Sequence, residues 1–308
     1  MLNHRTIVLI KNEVTYNVDP VPVAASNAVL VENPQWSFSD ARMNDRAPAR
    51  VSQGKLKPLY GGTLVQFTFE VEVKGSGAAG TAPELGQALQ ACGLSETIVA
   101  ATSVTYKPAS SAQKSCTIYF FKDGKRIIGT GCVGMVSGSL QIGSYAKFSF
   151  TFVGHLVSEA DIALPTATYL ANTPPVLIGV PFVVDSRTPA LTKLDFDLGI
   201  EIAKPSNIVA ADGFGQLQIT GRKVSCSFDD EDVLVATYNW LSKWQLGTAI
   251  SLTTGVIGSV AGNRFAVTLP AVTYTEQSQG DKSGIVTREI SGHAAESTTD
   301  DEISIAFT

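Results

Sequence analysis

Between Phe67 and Lys74 the side chains alternate strictly, with Phe67, Phe69, Val71 and Val73 on one side and Thr68, Glu70, Glu72 and Lys74 on the other. A period of two is that of a β-strand with one dry and one wet face, and such strands belong to antiparallel sheets, because parallel strands are buried on both sides. The pattern recurs. Ala146, Phe148, Phe150 and Phe152 oppose Lys147, Ser149 and Thr151, while Leu194, Phe196, Leu198, Ile200 and Ile202 oppose Lys193, Asp195, Asp197 and Glu201. A chain that repeats it is confined to a mainly β fold.

Directly after the first of these strands, Gly75-Ser76-Gly77-Ala78-Ala79-Gly80 matches G-x-G-x-x-G. It precedes a short helix over Pro83–Cys92, with Leu85, Ala88, Leu89 and Cys92 on one face and Gly93 at its end. In a dinucleotide fold such a turn cradles a pyrophosphate. That fold also needs an all-apolar parallel strand before the turn and a second parallel strand ending in a carboxylate about twenty residues on. Neither is here, since the first strand has a wet face and Ile98–Tyr106 runs into Lys107-Pro108. The glycines are read as letting the chain leave a sheet edge tightly, and no cofactor is expected.

Residues 1–27 mix short apolar pieces with Asn12, Asn17, Asp19, Pro20 and Pro22 and read as an extended arm. Ala28–Glu32 is a first strand closed by Asn33-Pro34, and Trp36–Pro58, with Arg42, Arg46 and Arg50, is a long loop. Strands follow at Ile98–Tyr106, Cys116–Lys122, Arg126–Val136 and Tyr145–Val153, with Asp123-Gly124 as a two-residue hairpin turn. Pro165, Pro174 and Pro175 mark 161–175 as a linker between domains at 28–160 and 176–308. The second domain holds strands at Val176–Asp185 and Lys193–Ile202 and a phase slip at Gly221 that signals a β-bulge. Asp229–Trp244, with acidic residues crowding its start, reads as a helix. Ala249–Ile257, Arg264–Tyr274, Ile285–Ser291 and Glu302–Phe307 read as strands, with Gln279–Gly284 as a loop tip. The shared order predicts two tandem antiparallel β domains, each with one short flanking helix.

Chemistry is hard to assemble. Cys92, Cys116, Cys132 and Cys226 lack metal-ligand spacing, and His4, His155 and His293 have no G-x-S-x-G partner. Asp195, Asp197 and Glu201 sit side by side on one strand rather than flanking a substrate as glycosidase carboxylates do. The acidic run Asp229–Asp232 reads as helix capping rather than a metal site, and Trp240 and Trp244 as core or interface. No catalytic or metal site is expected. Hydrophobic residues at 44% and charged residues at 17% indicate a folded chain. No apolar run approaches a membrane span, the first ten residues make no convincing secretory signal, and folding in a cytoplasm is expected. A net charge of −5 disfavours tight duplex binding.

Val71–Thr97 carries Lys74-Gly75-Ser76-Gly77, then Ala82-Pro83-Glu84-Leu85-Gly86-Gln87-Ala88-Leu89, then Ala91-Cys92-Gly93-Leu94-Ser95-Glu96-Thr97. In these it resembles the major tail tube proteins of long-tailed bacteriophages. The likeness continues through Tyr106–Pro108, Cys116–Gly124, Gly129–Val136 and Phe148–Gly154, and in the second half through Ala271–Tyr274, Gly280–Arg288 and Asp301–Phe307. The resemblance implies two tandem antiparallel β-sandwich or barrel domains in a structural protein of the virion tail, assembled in the bacterial host cytoplasm without a membrane. It also implies rings that stack into a tube through which DNA passes without tight binding, alongside terminator, tape measure and distal tail proteins. A β-sandwich adhesin or carbohydrate-binding module is the alternative. Joined to the repeat of architecture, the resemblance favours rings of three two-domain chains over rings of six. The wet-face carboxylates Glu70, Glu72, Asp195, Asp197 and Glu201 are expected to face the lumen, and the dry faces to pack outward on the helices Pro83–Cys92 and Asp230–Trp244. The arm and the long loop are expected to make the stacking contacts.

Overall fold

The computed structural model describes residues 2 and 4–308; of the stretch 1–27, Met1 and Asn3 lie outside the described residues. β1 (Thr6–Asn12), β2 (Ala28–Val29) and β3 (Val31–Ser39) precede the short pair β4 (Met43–Asn44) and β5 (Leu59–Tyr60). β6 (Leu64–Glu72) leads through helix α1 (Gly86–Ala91) to β7 (Leu94–Val99), β8 (Ser103–Pro108), β9 (Cys116–Lys122), β10 (Lys125–Gln141) and β11 (Lys147–Asp161). Then come β12 (Val183–Val184), β13 (Lys193–Asp197), β14 (Ile200–Ala203), β15 (Gln218–Arg222) and β16 (Ser225–Glu231). Helix α2 (Trp240–Gln245), β17 (Ile250–Thr253), β18 (Phe265–Lys282), β19 (Ile285–Ala294) and β20 (Ser304–Phe307) complete the chain. The fold is mainly β and antiparallel, as the alternation requires.

Its centre is a run of strands in the order β3-β6-β11-β10-β13-β16-β19-β18. β10 joins the two halves of the chain. Its first part pairs with β9; past an irregularity between Gly129 and Cys132, its second part pairs with β13, Ser137 opposite Asp197 and Ser139 opposite Asp195. β18 divides likewise, Phe265–Thr268 pairing with β20 and Val272–Lys282 with β19. β20 in turn pairs with β8, so the last strand returns to the first half. Phe67, Phe148, Phe196, Phe228 and Tyr274 accordingly share one buried cluster. The halves meet in one sheet and one core.

Several local expectations give way to this packing. The stretch read as an arm contains β1, whose Val8, Leu9 and Ile10 are buried between β9 and β2, where both edges of the strand find backbone partners. In the segment 161–175, Ile162, Leu164, Ala167 and Tyr169 pack on Leu9, Tyr119 and Phe121. β3 continues through Pro34, which falls at a register shift between Glu32 and Gln35 with Asn33 at φ +49°, so only 40–42 and 45–58 of the long loop lack strand. The alternating run Lys193–Ile202 breaks at Gly199, at φ +55°, where a Cβ would lie 2.3 Å from the Lys223 carbonyl. Only Val183–Val184 of Val176–Asp185 forms a strand, with a single bridge from Val176 to Tyr145.

The acidic residues near 230 are the clearest correction. Asp229, Asp230 and Glu231 end β16, and the helix begins only at Trp240 with Asn239 as its cap, accepting from Ser242 N at 2.9 Å. Asp229 accepts from the amides of Thr192 and Lys193 at 3.0 and 2.9 Å, and Asp230 pairs with Arg187 at 3.2 Å. Partners in the sheet outweigh the preference of carboxylates for a helix N-terminus, which is worth under about 1 kcal/mol at the surface. Two finer expectations hold. Thr220 is the extra residue in a register shift between β14 and β15, beside Gly221, and Asp123-Gly124, both at positive φ, form the tight turn between β9 and β10.

Candidate functional site

Strand pairing brings the wet faces of the two halves together. One row across the sheet reads Glu32, Glu70, Ser149, Ser137, Asp197, Ser225, His293, Thr273. The next reads Glu72, Lys147, Ser139, Asp195, Ser227, Ser291, Glu276. Glu70, Glu72, Asp195 and Asp197 therefore share one continuous surface, as neighbouring strands of one sheet rather than as parts of two. Glu201 does not join them. It lies on β14, past the turn at Gly199, in a separate two-stranded ribbon with β15.

The alternation singles out these carboxylates but not what lies between them. A shallow concavity of about 490 Å³ crosses the middle of the face, lined by Ser137, Ser139, Ser149, Asp195, Asp197, Ser225, Ser227 and Ser291. The sequence signal for it is the repeated Ser-x-Ser at 137–139 and 225–227. Ser139 Oγ donates to Asp195 Oδ1 at 2.5 Å, and Lys193 Nζ lies 3.7 Å from the other oxygen. Lys147 bridges Glu32 at 2.6 Å and Glu70 at 3.7 Å. Burial opposes ionisation of Glu32, but hydrogen bonds from Lys147 and Tyr145 outweigh it and hold the carboxyl below its usual range. Lys74 is buried against the Leu170 carbonyl, Glu72 and Glu84. The face presents hydroxyls and carboxylates, with Lys74, Lys147 and Lys193 each beside an acid. Such a surface holds water and repels phosphate.

The opposite face is dry. Phe69, Phe150 and Phe152 stack within 6 Å of one another, and the α1 end closes over Gly134, where an added Cβ would lie 3.0 Å from Cys92 Sγ. Trp240 of α2 packs on Phe228 and Tyr274. The helices therefore cover the dry face, although α2 is shorter than expected. Trp240 is buried and Trp244 is partly exposed, so the two make no shared stacking platform.

The other candidate sites resolve into structural contacts. Gly75 N donates to Asn263 Oδ1 at 2.9 Å and Gly77 N to the Gly262 carbonyl at 2.9 Å, which commits both amides to a loop of the second half. A Cβ on Gly75 would lie 2.1 Å from the Gly262 carbonyl, so backbone approach accounts for the glycine. His155 sits between Asp212 and Tyr16, at 2.6 and 2.9 Å, a sequence of groups resembling an acid-base relay. Tyr16 also accepts from Leu217 N at 2.7 Å, and burial pushes its phenol up to about 12, so it remains a protonated clasp at neutral pH. His293 Nδ1 meets the Val224 carbonyl at 2.9 Å. Among the described residues no group of three or more His, Cys, Asp or Glu is placed to hold a metal ion, and no helix is long and apolar enough to cross a membrane.

No curated protein matches the chain. A family model described as phage tail tube protein matches residues 3–308, so the correspondence takes in both halves, the glycine turn and the strands of the wet face alike. A match of that span, on a β-rich chain with one carboxylate- and hydroxyl-bearing sheet face, agrees with the resemblance carried by Val71–Thr97: the chain belongs to the phage tail tube protein family, structural components of the virion tail.

Proposed function

We propose that copies of this chain close into rings whose wet sheet faces line a channel for the genome, and that the rings stack into the tail tube. The observation that carries this is a pair of complementary edges. The eight strands from β3 to β18 alternate in direction, so the two outermost run opposite ways. Among the described residues β3 pairs only with β6, and β18 beyond Val272 pairs only with β19. A rotation that sets the β18 edge of one copy beside the β3 edge of the next makes an antiparallel pair, and repetition closes a barrel without edges.

Width favours three copies. Strands spaced about 4.8 Å apart give about 38 Å of wall per chain, so three chains enclose a backbone diameter of about 37 Å before strand tilt widens it. Inward side chains about 5 Å deep leave about 27 Å, against a duplex about 20 Å across. Six chains would enclose roughly twice the diameter. In the three-chain ring Glu70, Glu72, Asp195 and Asp197 face the passing DNA, while Glu201 lies off that wall. Family membership supports contacts with terminator, tape measure and distal tail proteins, and assembly in the host cytoplasm.

Electron microscopy of the purified protein tests the ring, and the mass of isolated rings tests the copy number. Stacked rings with a mass near three times 32.5 kDa are expected. Isolated monomers at all concentrations would exclude the ring, and a mass near six times that value would exclude the trimer.

A further inference from the structure

Backbone pairing alone is a weak seam, and each free edge also carries apolar side chains on the same side of the sheet. On β3, Trp36 and Phe38 stand opposite Phe67 and Val65 of the dry face, their rings 5.2 Å apart and edge-on, and Phe38 is 48% exposed. At the other edge, α2 lies beside β18 with Leu241 51% and Trp244 40% exposed. Between α2, the segment before it and the β18–β19 hairpin runs a groove of about 500 Å³, lined by Val235, Leu241, Trp244, Gln277, Gln279 and Val286. Gln277 Nε2 is buried there without a partner.

The register says where the neighbour's side chains fall. Along the row from Glu72 to Glu276, β6 lies wholly to one side, extending eight residues to Leu64, whereas six residues of β18, Gln277–Lys282, lie on the other. The strands therefore slide by about one residue each, the stagger of a tilted barrel. Carried across all eight strands, the slide is about eight residues. It sets Trp36 of the next copy level with Gln279 and Phe38 level with Gln277. An even shift preserves the face, and both glutamines lie on the dry side, since Gln277 stands opposite Ile290.

We propose that the groove beside α2 is the seat of Trp36 and Phe38 from the neighbouring copy in the ring. This rests on the conduit reading and adds to it the apolar half of the seam. Burying two aromatic side chains against Leu241 and Trp244 supplies the non-directional attraction that edge pairing lacks. A strand laid along β18 also brings backbone carbonyls within reach of the Gln277 amide.

The test is cross-linking in assembled tubes. Phe38→Cys combined with Gln277→Cys should link neighbouring chains when oxidised glutathione takes up the two thiol hydrogens as reduced glutathione and a disulfide forms. Phe38→Cys with Lys282→Cys, displaced along the strand, should not. Separately, Trp36→Ala with Phe38→Ala should raise the protein concentration needed for tubes at least tenfold while far-ultraviolet circular dichroism stays unchanged. Tubes that form but give no 38–277 link, or link equally well at 282, overturn the seam and leave the conduit reading standing. So does an unchanged assembly threshold in a folded double-alanine variant. Wild-type protein that never forms rings overturns both.

Discussion

His155 Nδ1 lies 2.6 Å from Asp212 Oδ2, a contact that ties β11 to a loop of the second half. With Tyr16 on the other imidazole nitrogen, three segments distant in sequence are fastened where β6 begins, at one end of the wet-faced sheet. Tyr16→Phe removes the hydroxyl that meets His155 Nε2 and accepts from the buried Leu217 amide, leaving that nitrogen and that amide without partners. The loss should be about 1–3 kcal/mol of unfolding free energy, read from urea titration. An unchanged midpoint would mean that water replaces the hydroxyl at no cost.

Alkaline pH should weaken the fold. Burial raises the phenols of Tyr16, Tyr119 and Tyr238 to about 12, whereas unfolded tyrosine titrates near 10. Between those values the unfolded chain releases protons that the folded chain keeps. The stabilisation is therefore complete below about pH 10 and is lost as pH rises toward about 12. The urea midpoint should fall over that window, and Tyr16→Phe should make the fall shallower. A slope identical in the variant would remove Tyr16 from the account.

Glu13 explains why the N-terminal segment is not a free arm. Its Oε1 accepts from Thr117 Oγ1 at 2.8 Å and Gly131 N at 2.7 Å, and its Oε2 from Ser115 Oγ at 2.6 Å and Asn17 N at 2.7 Å. Glu13→Gln would turn an amide donor toward groups that already donate, two of them backbone amides that cannot reverse. A loss of about 1–3 kcal/mol is expected, with faster hydrogen exchange at 13–17. Exchange as slow as in the parent protein would count against this clip.

What the sequence makes legible is local. Alternation at Phe67–Val73 and Phe148–Phe152 reports which face is dry, because burial on one side imposes a period of two whatever the partner strand. It does not report the partner. That β10 passes from β9 to β13, merging two expected domains' sheets into one, depends on a bulge at Gly129–Cys132 whose sequence, Gly-Thr-Gly-Cys, resembles ordinary strand text. Glu201 is misplaced for the same reason: its alternation with Asp195 and Asp197 is intact, and only the close approach of Gly199 to the Lys223 carbonyl turns the chain away. The helix expected from Asp229 fails because acidic residues signal a helix start only when no strand claims their backbone, and β19 pairs Asp229 with Glu289 and Asp230 with Arg288, while Arg187 and Thr192 take up the side chains.

The loop 45–58 lies at the end of the sheet opposite the β18–β19 hairpin tip, is exposed throughout or nearly so, and packs no core of its own. In the proposed tube rings meet end to end, which would set this loop against the next ring. Replacing 46–57 by a short glycine-serine link leaves β4, β5 and the contact of Arg42 with Phe214 in place. The variant should remain folded and form single rings but few long tubes. Long tubes at the parent's yield would assign stacking elsewhere. Deleting the first twenty residues is no equivalent test, since it removes β1 from the core.

The conduit reading makes its sharpest claim at Asp195 and Asp197. A channel for DNA works only if the wall does not hold the strand: each phosphate neutralised by a lysine releases about 0.9 of a counterion, which makes binding favourable at low salt and steeply salt-dependent. The wet face avoids this, since Lys147 is held by Glu32 and Glu70, and Lys193 lies beside Asp195. Replacing both aspartates by lysine removes the acceptors of Ser139 Oγ and of the Gly199 amide, but it leaves the pairs at Lys147, the strand pairing, the dry face and the edges β3 and β18 in place. Tubes should therefore assemble with normal morphology. Genome ejection from virions carrying the variant should slow at low salt and recover as salt is raised, with Asp195→Asn and Asp197→Asn falling between variant and parent. Ejection that is indifferent to the lysines at every salt concentration would sink the claim, as would an assembled tube with these two side chains on its outer surface.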